Sequence, residues 1–303
     1  MKILFVSSEC APFSKSGGLA DVAFSLPPAL QKTGDDMAIV TPMYRVTQEN
    51  YGDEFERIKT CQIALGQRRL ACSLYRGALN GVTVYAIGNE HLFHRPRLYG
   101  YGDDSLRFAF FCRAVIDLLP EFGDLPDILH CNDWETALAI LYLKNDAVLR
   151  PELSHIKTVF TIHNLRYQGI YSMDIVADFY SLPQEYFTED KLEFHGCANL
   201  LKGGIVYADY VTTVSPSYAE EIKTPLGGER LDGLLSARSQ SLYGIINGID
   251  DAVYNAKTDP KIFANFDLRN LTSKKKENKI ALQKQLGLPV DGEKAMIGIV
   301  SRL

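Results

Sequence analysis

Short apolar runs alternate with helix-spaced apolar patterns along most of this chain, and few folds accept that rhythm. Ile3–Val6, Met37–Val40, Asp127–His130, Thr158–Ile162, Tyr210–Val214 and Leu242–Ile246 read as strands. Between them, Leu19, Val22, Ala23, Leu26, Ala29 and Leu30 recur at helical spacing, as do Phe108, Phe111, Cys112, Val115 and Leu119. Helices are also expected over 135–149, over 199–208, and after Ser215-Pro216, where Ser suits the cap and Pro the first turn. Such β-α-β alternation predicts an α/β fold, a mostly parallel sheet with helices on both faces. Two departures are expected. Pro27-Pro28 should kink or loosen the first helix. Between Ile58 and Ile87 extended runs flank Asn80-Gly81, which predicts an antiparallel hairpin.

The 303 residues suit two domains at about 100–200 residues each. After Ile249 the sequence turns polar; a helix over 277–286 and an apolar, strand-like Ala295–Val300 follow, and the chain ends. The expected division is a Rossmann-like domain at 1–246, then a linker and the start of a second α/β domain at 247–303, cut off. A net charge of -5 without a basic patch argues against a nucleic-acid binder. No window approaches the roughly 18–20 apolar residues of a membrane span, and Met1–Val6 is too short for a secretory core of about 7–15 residues. The six cysteines are scattered with no C-x-x-C, so reduced thiols, a cytoplasmic protein and no metal site are expected.

Phosphate-loop, zinc-hydrolase and serine-hydrolase signatures are missing from the sequence. The polar residues gather instead where strands end, the place where open α/β sheets bind ligands. The loop after the first strand carries Glu9, Lys15, Gly17, Gly18 and Asp21. Two glycines at a helix start let an anion approach backbone N–H groups, with Lys15 as a point charge, or else they make a tight turn. After the 127–130 strand, Asn132 or Asp133 either caps the next helix or faces a ligand, and Trp134 is expected to pack. His163-Asn164 follows the 158–162 strand, as a structural or a ligand-facing histidine. Asn247-Gly248-Ile249-Asp250 stands at the expected hinge.

In combination these segments resemble the bacterial glycogen synthase and plant starch synthase family. The resemblance rests on Lys15 to Val22, Tyr99 to Asp103 with Arg107-Phe108, Asp133-Trp134 with Thr136 to Leu138, and Thr161 to Asn164 with Tyr167 to Gly169. It continues through Leu201 to Gly204, Tyr207 to Asp209, Thr212 to Pro216, Leu231 to Gly233, Asn247 to Asp250 and Ser301 to Leu303. The chain departs at Ser16, where the family usually has Thr, at Asn132 and Glu135, where His is common, and at Tyr254 to Ala256, where Trp-Asn-Pro is usual.

The resemblance implies one half of a two-domain GT-B glycosyltransferase that moves glucose from ADP-glucose to the non-reducing end of an α-1,4-glucan such as glycogen, with retention and without cofactor. Lys15, His163 and Arg302 are then the expected catalytic residues. Lys15, Gly17, Gly18, Asp21, Asn247 and Arg302 would line the donor site; Glu9, Tyr99 and Asp133 would line the acceptor side. The missing second domain implies that this chain alone is inactive. The alternatives are a non-catalytic glucan-binding fragment and another GT-B nucleotide-sugar transferase.

Overall fold

The computed structural model describes residues 1–300, which form two compact units, Met1–Asn247 and the segment from Gly248 onward. The strands of the first unit are β1 (Lys2–Val6), β2 (Asp36–Pro42), β3 (Glu56–Leu65), β4 (Arg68–Leu79), β5 (Val82–Gly88), β6 (Ile128–Asn132) and β7 (Lys157–Ile162). They continue with β8 (Ile170–Ser172), β9 (Glu193–Phe194), β10 (Cys197–Asn199), β11 (Tyr210–Thr213) and β12 (Leu242–Gly244). Its helices are α1 (Gly18–Lys32), α2 (Arg45–Tyr51), α3 (Glu90–Phe93), α4 (Asp104–Asp117), α5 (Trp134–Asp146), α6 (Met173–Phe179), α7 (Leu200–Tyr207), α8 (Pro216–Glu221) and α9 (Asp232–Ala237).

One sheet organises the unit, in the order β12-β11-β7-β6-β1-β2-β5-β4-β3. From β12 to β5 every neighbouring pair is parallel. β4 and β3 extend that sheet antiparallel through hairpins. Continuous apolar runs such as Leu4, Phe5 and Val6 suit central parallel strands, because both faces are covered. The hairpin expected at Asn80-Gly81 is present: both residues have positive φ (50° and 86°), which suits the twist of a two-residue turn. α1 does not break at Pro27-Pro28; both rings are buried along its length, and that burial offsets the lost backbone bonds.

Asn199 and Ser215 cap α7 and α8, each accepting from a backbone N–H three residues on. A second, three-stranded sheet, β8-β10-β9, was not anticipated. In the second unit α10 (Leu271–Gln285) is joined to the following loop by Gln283, whose amide both donates to and accepts from the Asp291 backbone. The strand expected at Ala295–Val300 is not formed; Ile297 and Val300 are exposed, and no described residue pairs with the segment.

Candidate active site

The chain leaves β1 towards β2 and β5, then crosses back to β6, β7, β11 and β12. The strand order therefore reverses between β1 and β6, and ligand crevices of open α/β sheets form at the carboxyl ends of such a pair. Ser7–Gly18 leaves the end of β1, Asn132-Asp133 ends β6 and His163-Asn164 leaves β7, so the three loops stand side by side.

His163 is fixed at both backbone and ring. Its N–H donates to Asp133 Oδ1 (2.7 Å), and its Nε2 lies 3.0 Å from Asn132 Oδ1. Asn132 Nδ2 donates to the Val6 carbonyl (3.0 Å), so the amide oxygen is the atom facing the ring. Nε2 then carries the proton and Nδ1 keeps its lone pair. Burial lowers the His163 pKa to about 4, so the ring is neutral at pH 7. Behind it His130, lowered to about 3 by burial, contacts Thr161 Oγ1 (2.7 Å), which in turn meets Thr212 Oγ1 (2.7 Å).

Asp133 does not cap α5 with its side chain, one of the two readings its position allowed. Its backbone sits at φ 58°, ψ 178°, a region costly for any residue with a Cβ. Hydrogen bonds hold it there: its N–H donates to the Thr161 carbonyl (2.9 Å) and its carboxylate receives His163 N–H. Burial raises its pKa to about 7, opposed by the backbone N–H groups of His163 and Asn164 and assisted by the Glu9 charge. Glu135, buried in the first turn of α5, is pushed well up by burial and by Asp133, and its Oε2 has no partner. A cluster of acids thus lies beneath the loops.

Glu9 is buried and serves a purpose its position did not suggest. Its carboxylate accepts from Ser16 N–H (2.5 Å), Ser16 Oγ (2.6 Å), Gly17 N–H (3.1 Å) and Tyr99 OH (2.9 Å). Glu9 itself is the anion at the start of α1, and the Gly17 N–H expected to meet a ligand is already engaged. Gly17 and Gly18 have no positive φ, and a Cβ at either would meet nothing within 4 Å. Neither packing nor turn geometry requires glycine there; the space beside them is open. Lys15 Nζ meets Asp21 Oδ1 at 2.5 Å, both side chains about half exposed (48% and 49%). Tyr99 belongs to a segment pinned by Asp104, which accepts from Gly100 N–H and pairs with the fully buried Arg107.

Trp134 packs, as expected. It meets Phe108 edge-on and Tyr171 at a tilt, and Gly169, at φ 62°, lies against its face. A shallow cavity opens beside it, bordered by Arg166, Tyr167, Gln168 and Ile170. A larger cavity lies apart from these loops, at the β9–β10 turn, with Glu189, His195, Lys202 and Arg230 on its walls. Asn247 is exposed in the segment after β12, and Arg302 lies outside the described residues. Sequence reasoning missed the two residues that orient His163 and anchor the glycine loop, Asn132 and Glu9, in those roles. No group of His, Cys, Asp and Glu among the described residues has the geometry of a metal site, and no described helix is long and apolar enough to cross a membrane.

Comparison with known proteins gives a consistent picture. Residues 2–237 match the family model described as the starch synthase catalytic domain. Curated glycogen synthases of Alkaliphilus metalliredigens and Anoxybacillus flavithermus are 43% and 45% identical across the whole chain, which spans 64% and 62% of their lengths. Another, from Caldicellulosiruptor bescii, is 47% identical, with 63% of its length spanned. The fold superposes on the catalytic domain of starch synthase IV from Arabidopsis thaliana, bound to ADP and acarbose, with a TM-score of 0.84. That pair shares 34% identity over 95% of this chain and 59% of the plant chain.

Proposed function

The chain belongs to the starch synthase catalytic-domain family, and from that premise we propose that it is the acceptor-side part of a glycogen or starch synthase. The proposed reaction is retaining transfer of glucose from ADP-glucose to the non-reducing end of an α-1,4-glucan. In this reading residues 1–246 hold the glucan and the transferred sugar, and 247–303 lead into a nucleotide-binding domain. The observation that carries it is the neutral, doubly held His163 at the carboxyl edge of the sheet.

Two kinds of charge develop as the glycosidic bond to diphosphate breaks: negative on the leaving group and positive on the anomeric carbon. Groups arranged beforehand for both give the largest electrostatic gain. On the sugar side, a neutral imidazole with a free Nδ1 does not repel an oxocarbenium-like centre as an imidazolium would. The Glu9 charge, which also acts on Asp133, adds negative potential in the same region, whereas burial holds Glu135 protonated and neutral. On the phosphate side, Lys15 and Arg302 are the proposed cations. The Lys15–Asp21 pair is half exposed, hence weak in water and open to exchange for a diphosphate. Open space beside Gly17 and Gly18 gives that diphosphate room. Asp21 and Asn247 complete the proposed donor side; Tyr99 and Asp133, with Glu9 behind them, form the proposed acceptor side.

The test is glucose incorporation into glycogen by the full-length protein carrying this segment, with ADP-glucose and UDP-glucose as donors. His163→Ala should lower kcat by at least 100-fold with the melting temperature nearly kept. Near-normal turnover in a destabilised His163→Ala protein overturns the assignment, and a preference for UDP-glucose overturns the donor.

A further inference from the structure

Two of the six cysteines stand outside everything described so far, and they face each other. Cys61 on β3 and Cys72 on β4 are directly opposite in the antiparallel register, so their side chains leave the same face of the sheet. Residues opposite each other in such a pair have Cα atoms about 4.5–5.5 Å apart, within the roughly 4.4–6.8 Å that a disulfide spans. Both are free thiols in this structure.

Their surroundings differ in a useful way. β3 is the last strand of the sheet, and Cys61 is partly exposed on it. Cys72 is buried with Leu74, Ile63 and Leu65 in the core on the α4 side. An oxidant from solvent therefore reaches Cys61 first and finds a second thiol directly behind it. Cys10, Cys112 and Cys131 are fully buried, and Cys197 lies on β10 in the other sheet.

We propose that Cys61 and Cys72 form a redox site that closes into a cross-strand disulfide by exchange with a small-molecule disulfide. The Cys61 thiolate attacks one sulfur of that disulfide, giving a mixed disulfide and releasing one small thiol. Cys72 then gives up its proton to solvent and attacks the Cys61 sulfur, expelling the second small thiol. Two protein thiols are oxidised and one small disulfide is reduced to two thiols. Burial holds the Cys72 thiol protonated, so the second step is the slower one and the mixed disulfide at Cys61 precedes closure. The product staples the edge strand to its neighbour across the Gly66-Gln67 turn, without moving the register.

The experiment uses the purified chain, incubated with oxidised glutathione or with dithiothreitol at pH 8, alkylated under denaturing conditions and digested with trypsin. Cleavage after Lys59, Arg68, Arg69 and Arg76 separates Cys61 and Cys72 into peptides 60–68 and 70–76. The expected result is a cross-link between these two peptides, reversed by dithiothreitol, with the other four cysteines still alkylated. Amide exchange between residues 62 and 71 should slow on the order of 10- to 100-fold, the scale expected for closing a loop of about a dozen residues. Cys72→Ala should stop at glutathione on Cys61, and Cys61→Ser should abolish the reaction; a circular-dichroism spectrum equal to wild type establishes that each variant is folded. Six alkylated cysteines after oxidation, a wild-type product that stays as the mixed disulfide, or a cross-link to any other cysteine overturns the proposal.

Discussion

Truncating Glu9 to Ala is the sharpest probe of how this site is built. The carboxylate accepts from two backbone N–H groups, of Ser16 and Gly17, and from the hydroxyls of Ser16 and Tyr99. Hydrogen bonds to a charged acceptor contribute about 1.5–3 kcal/mol each. The hydroxyls recover most of their loss, since Tyr99 also meets Ser8 (2.9 Å) and Ser16 is exposed to water. The two backbone donors recover less, so the lower end of that range, taken twice, gives about 3 kcal/mol for Glu9→Ala. Glu9→Gln keeps one oxygen for the backbone donors and turns its NH2 towards hydroxyls able to accept; its cost should be about half as large. For a unit of this size 3 kcal/mol corresponds to a fall in Tm of about 6–12 °C. Trp134 is the only tryptophan and lies in the first unit, so its fluorescence during urea or thermal unfolding reads that unit alone. A loss below 1 kcal/mol for Glu9→Ala, or equal losses for Ala and Gln, would refute the anchoring argument.

The other perturbations separate charge, space and chemistry. Asp133 has its pKa raised from 3.8 to about 7, so the folded state keeps a proton that the unfolded chain releases, and this group's contribution falls as pH rises from about 4 to 7. Asp133→Asn, still able to accept from His163 N–H, should therefore gain stability relative to wild type across that window. The difference between the two proteins isolates the effect, because buried His130 and His163 run the opposite way; parallel urea midpoints at pH 5 and pH 8 would contradict it. Gly169→Ala places a Cβ 2.3 Å from Trp134 Cε3 at a positive φ, so the indole must shift. Its cost should reach about 2–4 kcal/mol with a changed emission maximum, and an unchanged spectrum and Tm would count against the packing described. Lys15→Gln breaks a half-exposed pair with Asp21 and should stay within about 0.5 kcal/mol of wild-type stability. In the full-length protein the same change should lower kcat/KM for ADP-glucose by about 10- to 150-fold, and unchanged kcat/KM would remove Lys15 from the donor site.

What the sequence made legible follows from the range of the forces involved. The parallel sheet announces itself because burial on both faces demands unbroken apolar runs, and Asn80-Gly81 because few residue pairs tolerate two positive φ values. The β8-β10-β9 sheet escaped notice, because strands of two or three residues carry no periodicity. Ala295–Val300 has the composition of a strand, yet a strand exists only when another pairs with it. The side chains after β6 and β7 were visible as polar residues at strand ends. That Asn132 turns its oxygen to His163 depends on the Val6 carbonyl, 126 residues away in sequence, and nothing local records it. Glu9 was visible as a residue of the first loop and, through the resemblance, as an acceptor-side candidate; its closure onto Ser16 and Gly17 is a property of the folded loop alone.

The position of β1 has a consequence for how the chain is made. Of the strands in this sheet it is the first to be made, yet it lies at the middle, with Ile3 opposite Met37 on one side and Ile128 on the other. The β2 side is satisfied after some thirty residues, whereas β6 is complete only about 90 residues after β2, roughly 5–18 s later at ordinary elongation rates. Through that interval the nascent sheet, β1, β2 and the β3–β5 meander, presents an unpaired apolar edge of Leu4, Phe5 and Val6. A chaperone that shields short aliphatic segments on emerging chains would find its client there, and its grip would end when β6 clears the exit tunnel.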